Sequence, residues 1–360
     1  MSRAERPGPR PVPERVLLVR LSAIGDVIFA SPLAAAFRRA YPHAYLAWLA
    51  EPGCAPLLRH HPDLDAVIEW PGPTLRRLWR ERRLPALAAE LRRLRPELRG
   101  YRFDLAVDLQ GLLKSALPVR LCGAPQRIGL GSREGSRFLL TRVVPREPPA
   151  ARARIGSEYL HLARTLGLPV ADFAMAVHFA AGDASAAEAL VAEAGLGRGF
   201  FALCPFTTRP QKHWLAPRWA ELAARLRADT GLRAVLLGGP DDVDAGADIA
   251  AASAGAAVSL AGRTSLLAAA AVIDRSRAVV AVDTGLGHMG IARRRPTLLL
   301  FGSTLPYTDT GRADARVLHH PRACSPCRRR PTCDGRFDCM RDITVDEVLA
   351  ALRALPGAGW

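Results

Sequence analysis

Residues 278–303 read AVVAVDTGLGHMGIARRRPTLLLFGS, and the two apolar runs in this stretch decide the fold. Ala278–Val282 is a short β-branched segment with no alternation, the pattern of a strand buried on both faces of a parallel sheet. Thr297–Phe301 repeats the pattern. Between them, Asp283 or Thr284 can cap a short helix that begins near Gly285. The free N–H groups of such a helix point out of the carboxyl edge of the sheet, where orphan donors and the helix dipole favour an anion. Gly285 and Gly287 would let a phosphate approach the backbone, and His288 can add a side-chain donor. The competing reading is an ordinary βαβ turn with Asp as cap and Gly for tightness.

The same strand–turn–helix grammar recurs in both directions. Upstream, Val16–Leu21 leads through Ser22-Ala23-Ile24-Gly25-Asp26 into a helical run, Val27–Ala40. Tyr45–Leu49, Ala66–Glu69 and Phe103–Leu109 read as further strands, with a short helix at Ala55–His60 and a helix at Gly111–Leu121. Leu75–Gly100 is helical and strongly basic, and Pro85 and Pro96 are expected to divide it. Arg127–Arg142 reads as a Gly- and Arg-rich loop. The linker is expected in the breaker-rich Pro145–Pro149 stretch or, after a helix at Ser157–Leu166, around Pro169–Ala180. A second series follows, with strands at Phe201–Cys204, Ala234–Leu237, Ala278–Val282 and Thr297–Phe301. Helices at Asp183–Ala194, Pro217–Asp229, Asp241–Ser253 and Ser265–Asp274 alternate with them. Two such arrays predict an α/β protein of two Rossmann-like, doubly wound domains, 15–170 and 171–360, facing each other across a cleft. Ligands then meet the loops at 22–26, 110–114, 205–214, 238–242 and 283–288.

Composition sets the outer limits. A chain of 360 residues, 49% hydrophobic, is too long for one core and has no run of about 20 apolar residues. Residues 1–14 are rich in Arg and Pro without an apolar stretch, so a disordered leader is expected rather than a signal peptide, and a cytoplasmic protein with it. Seven cysteines, an odd number, argue against a disulfide scaffold. A net charge of +16 calls for an anionic partner: nucleic acid, a membrane surface or a phosphorylated substrate.

Four segments carry a resemblance. Arg20–Val27 (RLSAIGDV), Asp108–Ser115 (DLQGLLKS), Thr207–Trp214 (TTRPQKHW) and Val282–Met289 (VDTGLGHM), in this order and spacing, resemble the family 9 glycosyltransferases, the lipopolysaccharide heptosyltransferases. The wording is nearest to members that add the first heptose to the Kdo region of lipid A; a sibling with another acceptor or sugar is the alternative. The resemblance implies a GT-B fold, an ADP-heptose donor, a Kdo-lipid A acceptor, and inversion at the sugar carbon with no cofactor or catalytic metal.

It also assigns roles. Asp26 matches the catalytic base that takes the acceptor proton, against the simpler reading of a cap for the helix at Val27. Thr207, Thr208 and Lys212 would meet the departing diphosphate. Asp283, Thr284, Gly285 and His288 match the nucleotide loop, with Asp283 an orienter of loop N–H groups or of Lys212. Asp242 is a candidate ribose partner or a helix cap. Lys114, Arg133 and Arg137 would bind acceptor carboxylates or phosphates. The Arg-rich 75–100 segment would lie on the anionic inner face of the cytoplasmic membrane. No specific nucleic-acid partner is expected, because no stacking platform or known motif accompanies the arginines. Two departures concern the acceptor: Val27-Ile28-Phe29 stands where many members have Val-Leu-His, and Gly290 replaces a small non-glycine residue and should loosen its helix. Finally, Cys324, Cys327, Cys333 and Cys339 fit a structural zinc site, and fit free thiols or a redox pair as well.

Overall fold

A computed structural model describes residues 12–131, 134–148, 153–197, 199–327 and 330–359. The expected leader lies outside the described residues as far as Pro11. Glu14 is already tied in, its N–H donating to Asp104 Oδ2 at 2.7 Å and its carbonyl accepting from Tyr45 N–H.

The first half of the chain runs β1 (Arg15–Val19), α1 (Ile24–Ala30), α2 (Pro32–Ala40), β2 (Tyr45–Ala50), β3 (Ala66–Glu69), α3 (Gly72–Arg80) and α4 (Leu84–Gly100). It continues with β4 (Leu105–Asp108), α5 (Leu113–Leu121), β5 (Gln126–Leu130), β6 (Arg142–Val144) and α6 (Ser157–Thr165). The second half comprises α7 (Ala181–Glu193), β7 (Phe201–Cys204), α8 (Ala216–Thr230), β8 (Ala234–Leu236), α9 (Val243–Ala252) and β9 (Ala257–Ser259). After these come α10 (Leu266–Arg275), β10 (Val279–Val282), α11 (Gly285–Ala292), β11 (Thr297–Phe301), β12 (Ala315–His319), α12 (Asp338–Arg341) and α13 (Val345–Arg353).

Two parallel six-stranded sheets result, ordered β3-β2-β1-β4-β5-β6 and β12-β11-β10-β7-β8-β9. Both are doubly wound with the same 3-2-1-4-5-6 connectivity. The order reverses between β1 and β4 in one sheet and between β7 and β10 in the other, and crevices at the carboxyl ends of such pairs are where ligands enter. The registers Val16↔Leu105 and Val279↔Ala202 fix those pairs. The central strands are fully buried, β10 and β11 included, as their unbroken apolar runs require.

The chain forms two compact units. One contains residues 1–22, 32–146 and 159–173; the other contains Ala23–Ser31, Glu147–Glu158 and Ala174–Trp360. Set beside the expected 15–170 and 171–360 division, short segments change sides, and α1, which carries Asp26, counts with the second unit. The first core is built on Leu17, Val19, Leu49, Trp70, Leu94 and Phe103; the second on Phe201, Leu203, Trp214, Trp219, Leu222 and Leu300.

Several local expectations need correction. The helix expected over Val27–Ala40 starts earlier and breaks at Ser31, whose hydroxyl donates back to the Ile28 carbonyl at 2.8 Å while Pro32 brings no N–H. Pro96 stays inside α4, though Pro85 does sit in the first turn, where its missing N–H costs nothing. The Arg127–Arg142 loop holds β5 and ends in β6. Gly129 is admitted there because a Cβ would lie 2.8 Å from both Asp108 Cβ and Leu140 Cδ1. Gly290 also has a packing role: an added Cβ would meet Thr297 Oγ1 at 2.6 Å, so glycine lets α11 lie close on the sheet.

Candidate functional site

At the β7–β10 reversal, the loop after β7 is held by its far end. Trp214 is buried, donates from Nε1 to the Ile343 carbonyl at 2.9 Å, and meets Trp219 edge-on at 5.0 Å between ring centroids. This anchor fixes the short 3-10 turn Pro210–Lys212. His213 Nε2 also contacts the Thr207 carbonyl at 2.8 Å, closing the loop on itself. Thr207 is half-buried and Thr208 exposed.

Lys212 reaches across to the loop after β10. Its Nζ lies 2.5 Å from Asp283 Oδ2, with both side chains about 15% exposed. Thr304, just past β11, donates its hydroxyl to the same oxygen at 2.8 Å. The other carboxylate oxygen faces His288 Nε2 at 3.4 Å, and His288 Nδ1 pairs with the Tyr307 hydroxyl at 3.0 Å. Lys212, Asp283, His288 and Tyr307 therefore form one buried chain of polar groups. Burial by itself would raise the Asp283 carboxyl. The His288 hydrogen bond and charge, followed by Lys212, outweigh it and hold the group well below the usual carboxylate range. Burial, reinforced by the Asp283 charge, pushes the Tyr307 phenol well up, so it stays a neutral hydroxyl.

Asp26 comes to this neighbourhood through helix packing. The helix α1 lies on α11: a Cβ on Gly25 would stand 2.7 Å from His288 Cδ2, and one on Gly285 would collide with Ile24 Cγ2. Phe29, one turn past Asp26, meets the His288 ring at 4.5 Å and 62°. Its edge also faces Tyr307 at 6.0 Å. Asp26 is the third residue of the helix, not the cap of a helix at Val27, and its Oδ2 accepts the Ala23 N–H at 3.4 Å.

Other expected residues fall as follows. Thr284 occupies the N-cap position of α11, but its hydroxyl makes no capping bond. The glycines of that helix serve packing: Gly285 accommodates Ile24, and Gly287 accommodates Leu299 and Ala281. His288 is 3% exposed, with both ring nitrogens engaged within the protein. Asp242 does precede α9 as its N-cap residue, while its carboxylate accepts the Gly239 N–H at 2.8 Å. Sequence reasoning missed Thr304 and Tyr307. The available signal was a hydroxyl pair directly after a buried strand, in a loop next to the one already singled out.

In the first unit, Lys114 opens α5 with Nζ 3.4 Å from Ser22 Oγ, so the loops after β1 and β4 meet at the other reversal point. Desolvation lowers the Lys114 ammonium, and Glu51, Arg76 and Arg20 are the nearby charges. Arg76 and Glu51 form a two-pronged pair at 2.5 and 3.0 Å. Arg137 is exposed, with its guanidinium 4.8 Å over the Phe138 ring. Arg133 lies outside the described residues. Asp108, completely buried, is pushed up to about 6 by desolvation, against hydrogen bonds from Ser115 and the Gly111 and Gln110 N–H groups.

Cys324, Cys327, Cys333 and Cys339, for which a zinc site is one expectation, lie within electrostatic reach of one another. All four are free thiols, and among the described residues no three His, Cys, Asp or Glu side chains converge to hold a metal ion. The backbone sends them to separate contacts. Cys327 Sγ faces the Ser303 carbonyl at 3.9 Å, whereas α12 packs the Cys339 sulfur against Gly302, 2.9 Å from where a Cβ would be. Burial pushes both thiols up, and the neighbouring cysteines add to the shift. Arg328 and Arg329, beside them in sequence, lie outside the described residues.

Residues 91–336 match the family described as glycosyltransferase family 9 (heptosyltransferase). Lipopolysaccharide heptosyltransferase 1 of Pseudomonas aeruginosa is 34% identical over 338 residues, covering 91% of this chain and 92% of that protein. Among solved structures, ADP-heptose lps heptosyltransferase II of E. coli superposes with a TM-score of 0.75 at 28% identity, covering 94% of this chain and 98% of the other. E. coli heptosyltransferase WaaC with ADP-2-deoxy-2-fluoro heptose gives 0.69 at 26% identity, covering 94% and 99%.

Proposed function

The chain belongs to glycosyltransferase family 9, the heptosyltransferases, with the GT-B fold of its structural relatives, and on that premise we propose that it moves heptose from ADP-heptose to the Kdo region of lipid A. The observation that carries this reading is the polar chain Lys212–Asp283–His288–Tyr307, with the helix that bears Asp26 packed on it. The donor assignment is supported by the solved relative that holds an ADP-heptose analogue. The acceptor assignment is supported by the relatives called heptosyltransferase 1, of which that of P. aeruginosa is 34% identical.

In the proposed reaction an acceptor hydroxyl oxygen attacks the anomeric carbon from the face opposite the ADP. The bond to the β-phosphate oxygen breaks, ADP leaves with its electron pair, and the configuration inverts. Asp26 takes the hydroxyl proton; its contribution is positioning and the charge that builds on the attacking oxygen. Lys212 meets the growing charge on the diphosphate, with Thr207 and Thr208 adding hydroxyl donors. Preorganised donors of this sort supply much of the rate because they need not reorient as the charge moves. Asp283 keeps the ammonium aimed, and His288 and Tyr307 brace Asp283 from the other side. Thr284 and Gly285 would add loop contacts to the nucleotide, Asp242 a ribose contact, and Lys114, Arg133 and Arg137 acceptor anions. Charge neutralisation by Lys212 makes a metal unnecessary for the leaving group, and transfer without cofactor is part of the proposal.

Such an acceptor is a lipid of the inner leaflet, so the protein is proposed to work from the cytoplasmic side as a peripheral membrane enzyme. No helix among the described residues is long and apolar enough to cross a membrane. The test is to incubate purified protein with ADP-heptose and a Kdo-terminated lipid A, then read the product by mass and the new linkage by NMR. One added heptose with inverted configuration is expected. Transfer only onto an acceptor that already bears heptose would refute the assignment to the first step, and no consumption of ADP-heptose would refute the donor.

A further inference from the structure

The α3–α4 hairpin ends in a feature that sugar transfer leaves unused. From Trp79 to Pro85 every residue is exposed, and the two largest apolar side chains there, Trp79 and Leu84, are 66% and 54% exposed. They belong to the last turn of one helix and the first turn of the next. The turn between them is firmly built: Arg83 N–H donates to the Leu78 carbonyl at 2.9 Å and Arg82 N–H to that of Trp79 at 3.1 Å. Leu75 and Leu78 anchor α3 in the core, and Leu94 and Leu98 anchor α4. Trp79 is thus held out in water by a rigid scaffold.

Its surroundings are cationic. Arg77, Arg80, Arg82 and Arg83 surround it with one acid, Glu81, which Arg77 and Arg83 share at 3.8 and 3.5 Å. Arg80 and Arg82 have no ion-pair partner among the described residues. On α4, Arg93 is bridged by Glu90 and Glu97, both at 2.6 Å, and Arg92, Arg95 and Arg99 are exposed. What sets the tip apart is that its arginines surround two exposed apolar side chains.

We infer that this tip docks the enzyme on an anionic lipid bilayer, Trp79 and Leu84 entering the headgroup boundary while Arg80 and Arg82 meet lipid phosphates. The inference rests on the proposed function for one point only, that the enzyme must reach a lipid. Trp is suited to the interface because its ring is apolar and its indole N–H stays wet. Arginine reaches back to phosphates while its stem stays in the apolar layer. Two side chains bury little area, so binding is shallow, reversible and dependent on lipid charge.

The test uses the full chain and vesicles of phosphatidylethanolamine with phosphatidylglycerol, part of it brominated in the acyl chains. Bromine should quench the emission of wild-type protein more strongly than that of Trp79→Phe, because Trp48, Trp70, Trp214 and Trp219 are buried and Trp360, outside the described residues, is present in both proteins. Trp79→Ala with Leu84→Ala should lower vesicle partitioning roughly tenfold, and Arg80→Glu with Arg82→Glu should abolish the preference for anionic lipid. Equal quenching in wild type and Trp79→Phe, or unchanged partitioning of the double alanine variant, would overturn the inference. So would a dimer in sedimentation velocity that the same alanines dissociate, since a second copy would then be the occupant. Transfer to acceptor dispersed in detergent should survive the alanines. If even wild type fails that assay, the proposed reaction falls while the quenching result still decides the docking.

Discussion

Asp283→Asn tests the buried polar chain at its centre. The substitution keeps shape and hydrogen-bonding capacity and removes the charge, leaving the Lys212 ammonium, 16% exposed, without its counter-ion at 2.5 Å. Removing one partner of a buried pair costs about 3 kcal/mol at the lower end of what is observed. For a unit of this size that corresponds to a melting temperature lower by roughly 6–12 °C at pH 7. The acid limb gives a sharper check. The folded carboxyl titrates below its ordinary value, so its stabilisation is complete above the unfolded pKa, about 3.9, and is lost as the pH falls toward the folded one. Between pH 5 and pH 3.5 the unfolded chain takes up the proton and the native one does not. The wild type should therefore lose about 0.7 kcal/mol of its advantage over the variant. Calorimetry of both proteins at pH 7, 5 and 3.5 measures this directly. A variant that melts with wild type at pH 7, or a gap that stays constant on acidification, would refute the claim that Asp283 is ionised and held by its partners.

Asp26→Ala should leave the chain folded, with the loss of a long bond to the Ala23 N–H and of a first-turn charge costing the helix about 1 kcal/mol. It should lower turnover at least 100-fold (roughly) with ADP affinity intact; normal turnover would reduce Asp26 to a helix residue. Lys212→Ala should weaken ADP binding and slow transfer by about a hundredfold together, as titration calorimetry beside initial rates would reveal. Asp108, raised to about 6, binds its proton more tightly folded than unfolded. Stability of the first unit should thus fall by roughly 2 kcal/mol as pH rises from 4 to 6, and Asp108→Asn should flatten that slope in urea titrations. Chelation with EDTA should leave both transfer rate and melting temperature unchanged; bound zinc at one equivalent with a lowered melting point on its removal would restore the metal site at the cysteines.

What could be read from the chain alone follows from local rules. Fully buried strands announce themselves as unbroken apolar runs, so β1, β4, β7, β10 and β11 were legible, and with them the two doubly wound arrays. The family motifs fall on the loops that leave those central strands, which is why the ligand-facing loops were legible too. Strands away from the sheet centre were harder: β5, lying between β4 and the edge strand β6, begins Gln126-Arg127, half-buried at each position, and its polarity resembles a loop. Tertiary structure alone decided which atoms meet. Gly285 looks like a phosphate-binding glycine in sequence, yet it and Gly25 are small because two helices cross there, a contact made by residues 260 positions apart. His288 looked outward-facing and is instead clamped between Asp283 and Tyr307. Of the cysteines spaced as metal ligands, Cys327 and Cys339 come to rest against the adjacent residues Ser303 and Gly302, a contact no spacing announced. Spacing along a chain constrains side chains only within one element; once the partner comes from another strand or helix, packing sets the distance and sequence spacing carries no information about it.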